Sequence, residues 1–90
     1  MPRAVIVGSG SAIAPTRVTN DQMARVIDTS DEWIRTRSGV EARHFATPDI
    51  ATSDLGVAAA ARALESAEVE KDEVDLVVFA TMTPDHFFPG

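Results

Sequence analysis

The sequence predicts an α/β fold with a partly parallel sheet, and three observations support this prediction. Residues 3–7 and residues 74–81 are short, nearly continuous apolar runs, as in strands that are covered on both faces. Helical patterns with capping residues lie between these runs, and the longest spans residues 53–67. The order strand, helices, strand, long helix, strand is typical of an α/β domain.

The first predicted strand, residues 3–7, runs into Gly8 and Gly10. A Gly-x-Gly pair after a strand can begin a dinucleotide-binding loop. Here the third glycine of that motif would fall on Ile13, and Pro15 interrupts any helix that starts there. We therefore interpret the two glycines as a tight turn after a core strand and predict no nucleotide site at this turn.

Two short helices are predicted next. Thr19 and Gln22 have the spacing of a capping box, which places the first helix start at Thr19. Thr29 and Glu32 repeat that spacing and predict the start of a second helix. Gly39 follows the second helix, at the position where a helix end favours a residue with positive φ.

A strand and a long helix complete the prediction. Residues 40–45 alternate loosely between polar and apolar and predict a strand, and residues 47–49 (Thr-Pro-Asp) predict a turn. The helix over residues 53–67 is expected to be capped by Thr52 or Ser53. It contains four consecutive alanines, and small residues allow close approach of other backbone. We expect this helix to be covered on more than one side.

Composition excludes several classes of function. With 44% hydrophobic and 24% charged residues, the 90-residue chain resembles an ordinary globular protein and not a disordered one. A net charge of −6 argues against nucleic-acid binding, which favours a basic face. No apolar run approaches the ~20 residues of a membrane helix, and no signal-peptide pattern is present. We expect a cytoplasmic protein, with which the absence of cysteine is compatible.

Residues 28–40 contain the only tryptophan and are the most informative segment of the sequence. On a helix, Thr29, Trp33 and Arg37 are successive i, i+4 neighbours and form one stripe. A hydroxyl, a flat aromatic ring and a guanidinium on one stripe can grip a flat ligand that carries phosphate. A tryptophan on its own is more often a packing residue, so the stripe alone leaves both roles open.

The same segment closely resembles the Asp-Thr-Ser-Asp-Glu-Trp-Ile…Thr-Arg…Gly signature of the β-ketoacyl-acyl-carrier-protein synthase III family. These are condensing enzymes of the thiolase superfamily that start type II fatty-acid synthesis. The resemblance continues in order along the whole chain, and the other matching segments are residues 5–10, 43–44, 77–81 and 88–90.

The resemblance implies a thiolase-like α/β fold, of which this chain would be the first part of the N-terminal half. Residues 1–90 would then be a partial N-terminal domain that is incomplete without the downstream chain. The family uses a Cys-His-Asn catalytic set, and all three members would lie beyond Gly90. The resemblance therefore places no catalytic residue within this chain, which has no cysteine.

The resemblance also implies roles for particular residues. Trp33 and Arg37 would sandwich the adenine of coenzyme A at the mouth of the active-site tunnel, with Thr29 close by. Phe88 would lie near the dimer interface and bound the acyl pocket of the partner subunit. The alternative for Phe88 is that it packs into the core of its own domain, and the sequence favours neither.

Other candidate residues have structural explanations. Arg35 is expected to pair with Asp31 at i, i+4 on a solvated helix face. Glu32 lies in the first helical turn, where a carboxylate is favoured without any catalytic role. His44 and His86 do not match the catalytic histidine of the family, so we expect a strand or loop histidine with an ordinary partner in each case.

The complete family enzyme transfers an acyl group from coenzyme A to a cysteine and condenses it with malonyl-acyl-carrier protein, releasing carbon dioxide. Acyl-coenzyme A is a substrate, so neither a cofactor nor a metal is implied. The implied partners are acyl carrier protein, a second subunit in a homodimer and the remainder of the same polypeptide. Two alternatives remain open: a specialised-metabolism condensing enzyme with another starter or acceptor, and a non-catalytic coenzyme A-binding or interaction module.

Overall fold

A computed structural model describes residues 3–86 of the chain. Helices and strands are both present, as the predicted α/β class requires. The chain divides into two compact units. One unit comprises residues 3–12 and 50–86, and the other comprises Ile13–Asp49.

The unit Ile13–Asp49 is built on a pair of antiparallel strands. Its elements are β1 (Thr16–Thr19), α1 (Asn20–Ala24), α2 (Asp31–Ser38) and β2 (Ala42–Phe45). Thr16 lies opposite Phe45, and Thr19 lies opposite Ala42. The two helices therefore occupy the connection between the paired strands.

Strand β2 confirms the prediction for residues 40–45, although it begins only at Ala42. Strand β1 was not predicted, because its four residues include three polar ones and show no apolar face. The pairing is antiparallel, so the expected parallel pairing does not occur among residues 3–86.

The start of α1 confirms the predicted capping box. The Gln22 N–H donates to Thr19 Oγ1 (3.2 Å), and the Thr19 N–H donates to Gln22 Oε1 (2.8 Å). Both backbone amides, which would otherwise lack partners at a helix start, are thereby satisfied.

The predicted cap of α2 is wrong by one residue. Ser30, not Thr29, has the extended backbone of an N-cap, and its Oγ accepts a hydrogen bond from the Trp33 N–H (3.1 Å). Glu32 is consequently the second residue of the helix and not the third, so it cannot complete a capping box. The predicted end is confirmed, because Gly39 has a φ of 76°.

The other unit contains the long helix α3 (Thr52–Ala67) and a short 3₁₀ turn at Lys71–Glu73. The prediction that Thr52 or Ser53 caps α3 is wrong. Ala51 is the N-cap, and its N–H donates to Asp54 Oδ2 (2.8 Å).

The two hydroxyls at the start of α3 bind a later segment of the chain. Thr52 Oγ1 donates to the carbonyl oxygen of Thr83 (2.6 Å). The Ser53 N–H and the Ser53 hydroxyl both donate to the Asp85 carboxylate. These hydrogen bonds hold residues 83–85 against the first turn of α3.

A row of alanines on α3 packs closely against the extended segment that contains Gly8 and Gly10, where the structure shows no turn of the kind predicted. A Cβ atom added to Gly8 would lie 2.6 Å from the Ala67 nitrogen. One added to Gly10 would lie 2.5 Å from the Ala59 carbonyl oxygen and would also overlap Ala63. The predicted close approach to the alanine-rich helix is thus confirmed on this side.

The predicted strands over residues 3–7 and 74–81 are not formed within residues 3–86. A strand requires a hydrogen-bonded neighbour, and neither segment has one in this part of the chain. Their apolar side chains are correspondingly exposed, with Ile6 91% and Val78 84% accessible. The prediction of strands at these two apolar segments is therefore wrong for the described residues.

Candidate functional site

Helix α2 places an aromatic ring and a cation side by side. The Arg37 Cζ atom lies 5.3 Å from the centroid of the Trp33 ring, within the range of a cation–π contact. Trp33 is 56% accessible, which is unusually open for the largest apolar side chain of the unit. The i, i+4 spacing of Trp33 and Arg37 therefore produces the predicted side-by-side arrangement.

Thr29 lies close to Trp33, but not as part of the predicted helical stripe. It precedes the N-cap Ser30 and lies outside α2, so the helical stripe does not include Thr29. A hollow of about 330 Å³ is nevertheless lined by four residues, Asp28, Thr29, Ser30 and Trp33. Thr29 and Trp33 are thus brought to one depression by the turn before the helix.

The first turn of α2 contains an acid with two partners. Asp31 Oδ2 lies 3.2 Å from Arg35 Nη2, as expected for a solvated i, i+4 pair. Asp31 Oδ1 accepts a hydrogen bond from Asn20 Nδ2 (2.9 Å). The second contact links α2 to the start of α1.

Asn20 is a structural residue that the sequence did not reveal. It is 1% accessible, and Nδ2 also donates to the Val40 carbonyl oxygen (2.7 Å). Arg43 Nη2 donates to Asn20 Oδ1 (2.6 Å). A polar residue beside a helix cap is ordinarily exposed, so neither periodicity nor spacing signals this burial.

The histidines do not take part in a metal cluster. His44 lies in β2 and is exposed, and His86 follows Asp85 in the loop beyond residue 82. Among residues 3–86, no group of three or more metal-binding side chains comes together. Phe88, the predicted residue of the dimer and acyl pocket, lies outside the described residues.

Two carboxyl groups have altered acidity. A hydrogen bond from the Thr47 side chain lowers the pKa of Asp49, which lies in the predicted turn of residues 47–49. Hydrogen bonds from Ser53, first from its hydroxyl and then from its backbone, lower the pKa of Asp85. Neither group lines the hollow that contains Trp33.

The helices within residues 3–86 are all too short or too polar to cross a membrane.

The chain was compared with protein-family models and with solved structures, and only the solved structures gave matches. No protein-family model matches the chain. Among solved structures, 3-oxoacyl-[acyl-carrier-protein] synthase III from Aquifex aeolicus VF5 superposes with a TM-score of 0.81 and 37% identity over 93% of this chain. 3-Oxoacyl-(acyl carrier protein) synthase III from Pseudomonas aeruginosa PAO1 superposes with a TM-score of 0.78 and 44% identity over 94% of this chain.

A third similar structure is the priming β-ketosynthase from the R1128 polyketide biosynthetic pathway, with a TM-score of 0.71 and 38% identity over 88% of this chain. The chain spans only 25% to 27% of the length of the three structures. High identity together with close superposition over most of the chain confirms both the predicted family and the predicted thiolase-like fold. The chain therefore belongs to the β-ketoacyl-acyl-carrier-protein synthase III family and carries a segment of its thiolase-like α/β fold.

Proposed function

We propose that the complete protein is a ketoacyl synthase III-type acyltransferase. It would condense a starter acyl group, delivered by coenzyme A, with malonyl-acyl-carrier protein by decarboxylative Claisen chemistry and so initiate fatty-acid synthesis. The similarity to two 3-oxoacyl-acyl-carrier-protein synthase III structures supports this reaction class. The nucleophilic cysteine, and its histidine and asparagine partners, would come from outside residues 1–90, because this chain contains no cysteine.

Within this protein, α2 would hold the adenine end of coenzyme A. The observation that carries the proposal is the exposed Trp33 ring with the Arg37 guanidinium 5.3 Å from its centroid. An indole offers a flat face on which a purine can stack, and a guanidinium can cover a ring or meet phosphate. Among the described residues Arg37 has no carboxylate within ion-pair distance, which leaves its charge available to an anionic ligand.

Thr29 would be a further contact for the bound nucleotide. Its place in the hollow with Trp33 suits a hydroxyl that contacts the edge of a bound nucleotide. Acyl-coenzyme A is a substrate in this scheme, and we propose no cofactor.

We call the proposed adenine contact of Trp33 and Arg37 the coenzyme A clamp. It predicts that substitutions in these two residues lower the affinity for coenzyme A. Replacing Trp33 by Ala should weaken coenzyme A binding by the intact protein by ~1–3 kcal/mol, the range for stacking of a base on an aromatic ring. Isothermal titration calorimetry with coenzyme A measures this directly. Arg37→Ala should also weaken binding, whereas Arg35→Ala is the matched control, since Arg35 is paired with Asp31. Unchanged affinity in Trp33→Ala would remove the assignment.

We also propose that the complete protein is a symmetric homodimer, located in the cytoplasm, that accepts acyl carrier protein as its second partner. Phe88 would lie at the dimer interface and bound the acyl pocket of the partner subunit. Closed two-fold dimers are the commonest soluble assemblies. Sedimentation velocity of the intact protein at micromolar concentration should give the mass of a dimer. A monomer under these conditions would contradict the proposal.

A second candidate is a condensing enzyme of specialised metabolism with a different starter or acceptor. The observation that favours it is the 38% identity to a priming β-ketosynthase of a polyketide pathway. A panel of acyl-coenzyme A starters offered to the intact protein separates the two. Preference for short primary-metabolism starters supports fatty-acid initiation, and preference for an unusual starter supports the specialised role.

A non-catalytic coenzyme A-binding or interaction module is the remaining alternative. Such a module would bind coenzyme A saturably with residues 1–90 alone. The intact protein would then show no condensation with malonyl-acyl-carrier protein.

A further inference from the structure

The buried side-chain amide of Asn20 donates hydrogen bonds near both ends of helix α2. Its Nδ2 donates to Asp31, in the first turn of α2, and to the carbonyl oxygen of Val40, just after the helix end at Gly39. Its own backbone N–H donates to the carbonyl oxygen of Glu41 (3.1 Å). One side chain therefore ties down the beginning of α2 and the segment that leaves it.

Asn20 is itself held from the strand pair. Arg43, in β2, donates to Asn20 Oδ1 at 2.6 Å and reaches the carbonyl oxygens of Val18 and Thr19 at 3.4 Å. All polar atoms of the Asn20 side chain are thus used, and buried amides that are fully hydrogen-bonded fix geometry more firmly than apolar contacts do. The chain of contacts runs from β2 through Asn20 to α2.

Within residues 13–49, helix α2 has few other contacts that fix its position. It has eight residues, none of them buried. Helices of this length are marginal in isolation and depend on tertiary contacts. Since apolar burial of α2 within residues 13–49 is small, the hydrogen bond from Asn20 to Asp31 is a large part of what this unit itself contributes to orienting the helix.

We propose that Asn20 is a positioning residue for nucleotide binding: through Asp31 and Val40 it sets the orientation of α2 and hence of the Trp33–Arg37 pair, without touching the ligand. This inference rests on the proposed coenzyme A clamp. This role differs from general stabilisation of the fold. If Asn20 acts by positioning Trp33, its substitution weakens binding only while Trp33 is present.

The primary test variant is Asn20→Asp in the intact protein. The carboxylate keeps an acceptor for Arg43 but loses both donated hydrogen bonds and faces the like charge of Asp31. Hydrogen exchange of residues 30–39 and coenzyme A affinity are measured together. Arg35→Ala and Glu32→Ala are the controls, since each removes one charge from α2 and leaves the Asn20–Asp31 hydrogen bond in place.

We expect Asn20→Asp to accelerate exchange over residues 30–39, with exchange in α3 unchanged. It should also weaken coenzyme A binding about tenfold, the factor that corresponds to one hydrogen bond to a charged group. In a Trp33→Ala background the same substitution should cost much less affinity, because the ring that it misplaces is already gone. If Asn20→Asp does not fold, Asp31→Ala takes its place in the same measurements.

Two results would overturn the proposal: unchanged exchange over residues 30–39, or an equal loss of affinity with and without Trp33. Failure of the clamp gives a different result, because Trp33→Ala alone would then leave the affinity unchanged. In that case the exchange measurement by itself decides whether Asn20 holds α2, and the role in binding is withdrawn.

Discussion

At Gly10, the missing side chain allows the segment of residues 8–11 to lie directly on the backbone of α3. A Cβ atom there would lie 2.5 Å from the Ala59 carbonyl oxygen, a separation that real Cβ atoms do not adopt. The Arg62 guanidinium strengthens this contact by donating a hydrogen bond to the carbonyl oxygen of the next residue, Ser11. The glycine is therefore required by close packing and not by a positive φ.

Replacing Gly10 by Ala should lower the free energy of unfolding of the intact protein by ~1–3 kcal/mol, the cost typical of overpacking. The obstacle is helix backbone, which cannot rotate away as a flexible side chain can. Chemical denaturation measures the change, with Ser9→Ala as the control on the exposed neighbour. If the Gly10→Ala protein is as stable as the Ser9→Ala control, then α3 and the segment of residues 8–11 are not in contact in solution.

At the level of elements, the start of α3 is joined to the segment that follows residue 80. The Asp85 carboxylate accepts from the Ser53 hydroxyl and the Ser53 N–H, and these hydrogen bonds lower its pKa below the ordinary value of 3.8. A lowered carboxyl pKa means that the ionised form stabilises the folded state. This contribution is complete above pH 3.8 and is lost as the pH falls through the lowered value.

Replacing Ser53 by Ala should raise the pKa of Asp85 part of the way back towards 3.8, since the hydroxyl is removed while the backbone N–H remains. Carbon-13 NMR titration of the Asp85 carboxyl group in the intact protein reports this. Thr52→Ala is the matched control, because that hydroxyl bonds Thr83 and not Asp85. An identical Asp85 pKa in the wild type and in Ser53→Ala would exclude the hydrogen bond as the cause.

The same elements show how far sequence reasoning reaches. Local signals were reliable where only a few neighbouring residues decide the outcome, as in the Thr19–Gln22 capping box and the positive φ of Gly39. They could not choose between Thr29 and Ser30 as a cap, since adjacent hydroxyls satisfy the same rule. At the start of α3 the hydroxyls of Thr52 and Ser53 found distant partners, which no local rule describes.

In the candidate site, too, contacts between near neighbours in the sequence were predictable and long-range contacts were not. The Trp33–Arg37 contact follows from helical spacing, so the sequence predicted the arrangement. Asn20 reaches Asp31 and Val40, which are 11 and 20 residues away, so its burial depends on the folded unit. Strand β1 was missed for a related reason, because its pairing with β2 and not its own pattern makes it a strand.

At the scale of the whole molecule, the described part of the chain leaves much apolar surface uncovered. Ala14 is its only buried hydrophobic residue, and large side chains over residues 5–7 and 76–78 are more than half exposed. Exposed apolar surfaces of this size are typical of contact with further protein. The apolar segments of residues 3–7 and 74–81, which were predicted as strands, also have no strand partner within residues 3–86.

We therefore expect purified residues 1–90 not to fold stably alone. The few buried side chains supply too little apolar stabilisation to offset the entropy of ordering the backbone, although transient helices should form. Thermal unfolding followed by circular dichroism should show a broad, non-cooperative change. A sharp, concentration-independent transition of the monomer would contradict this expectation, and the intact protein provides the cooperative reference.

Thr16 and Phe45 are paired across β1 and β2, so their Cα atoms lie about 5 Å apart although the two helices separate them along the chain. The segment between these two paired residues thus begins and ends at neighbouring positions. Insertions with adjacent ends can change length or content without straining the protein that hosts them. Residues 20–41, which include Trp33, can accordingly change in length or sequence while the strands β1 and β2 keep their pairing, and such changes would alter the proposed coenzyme A contact.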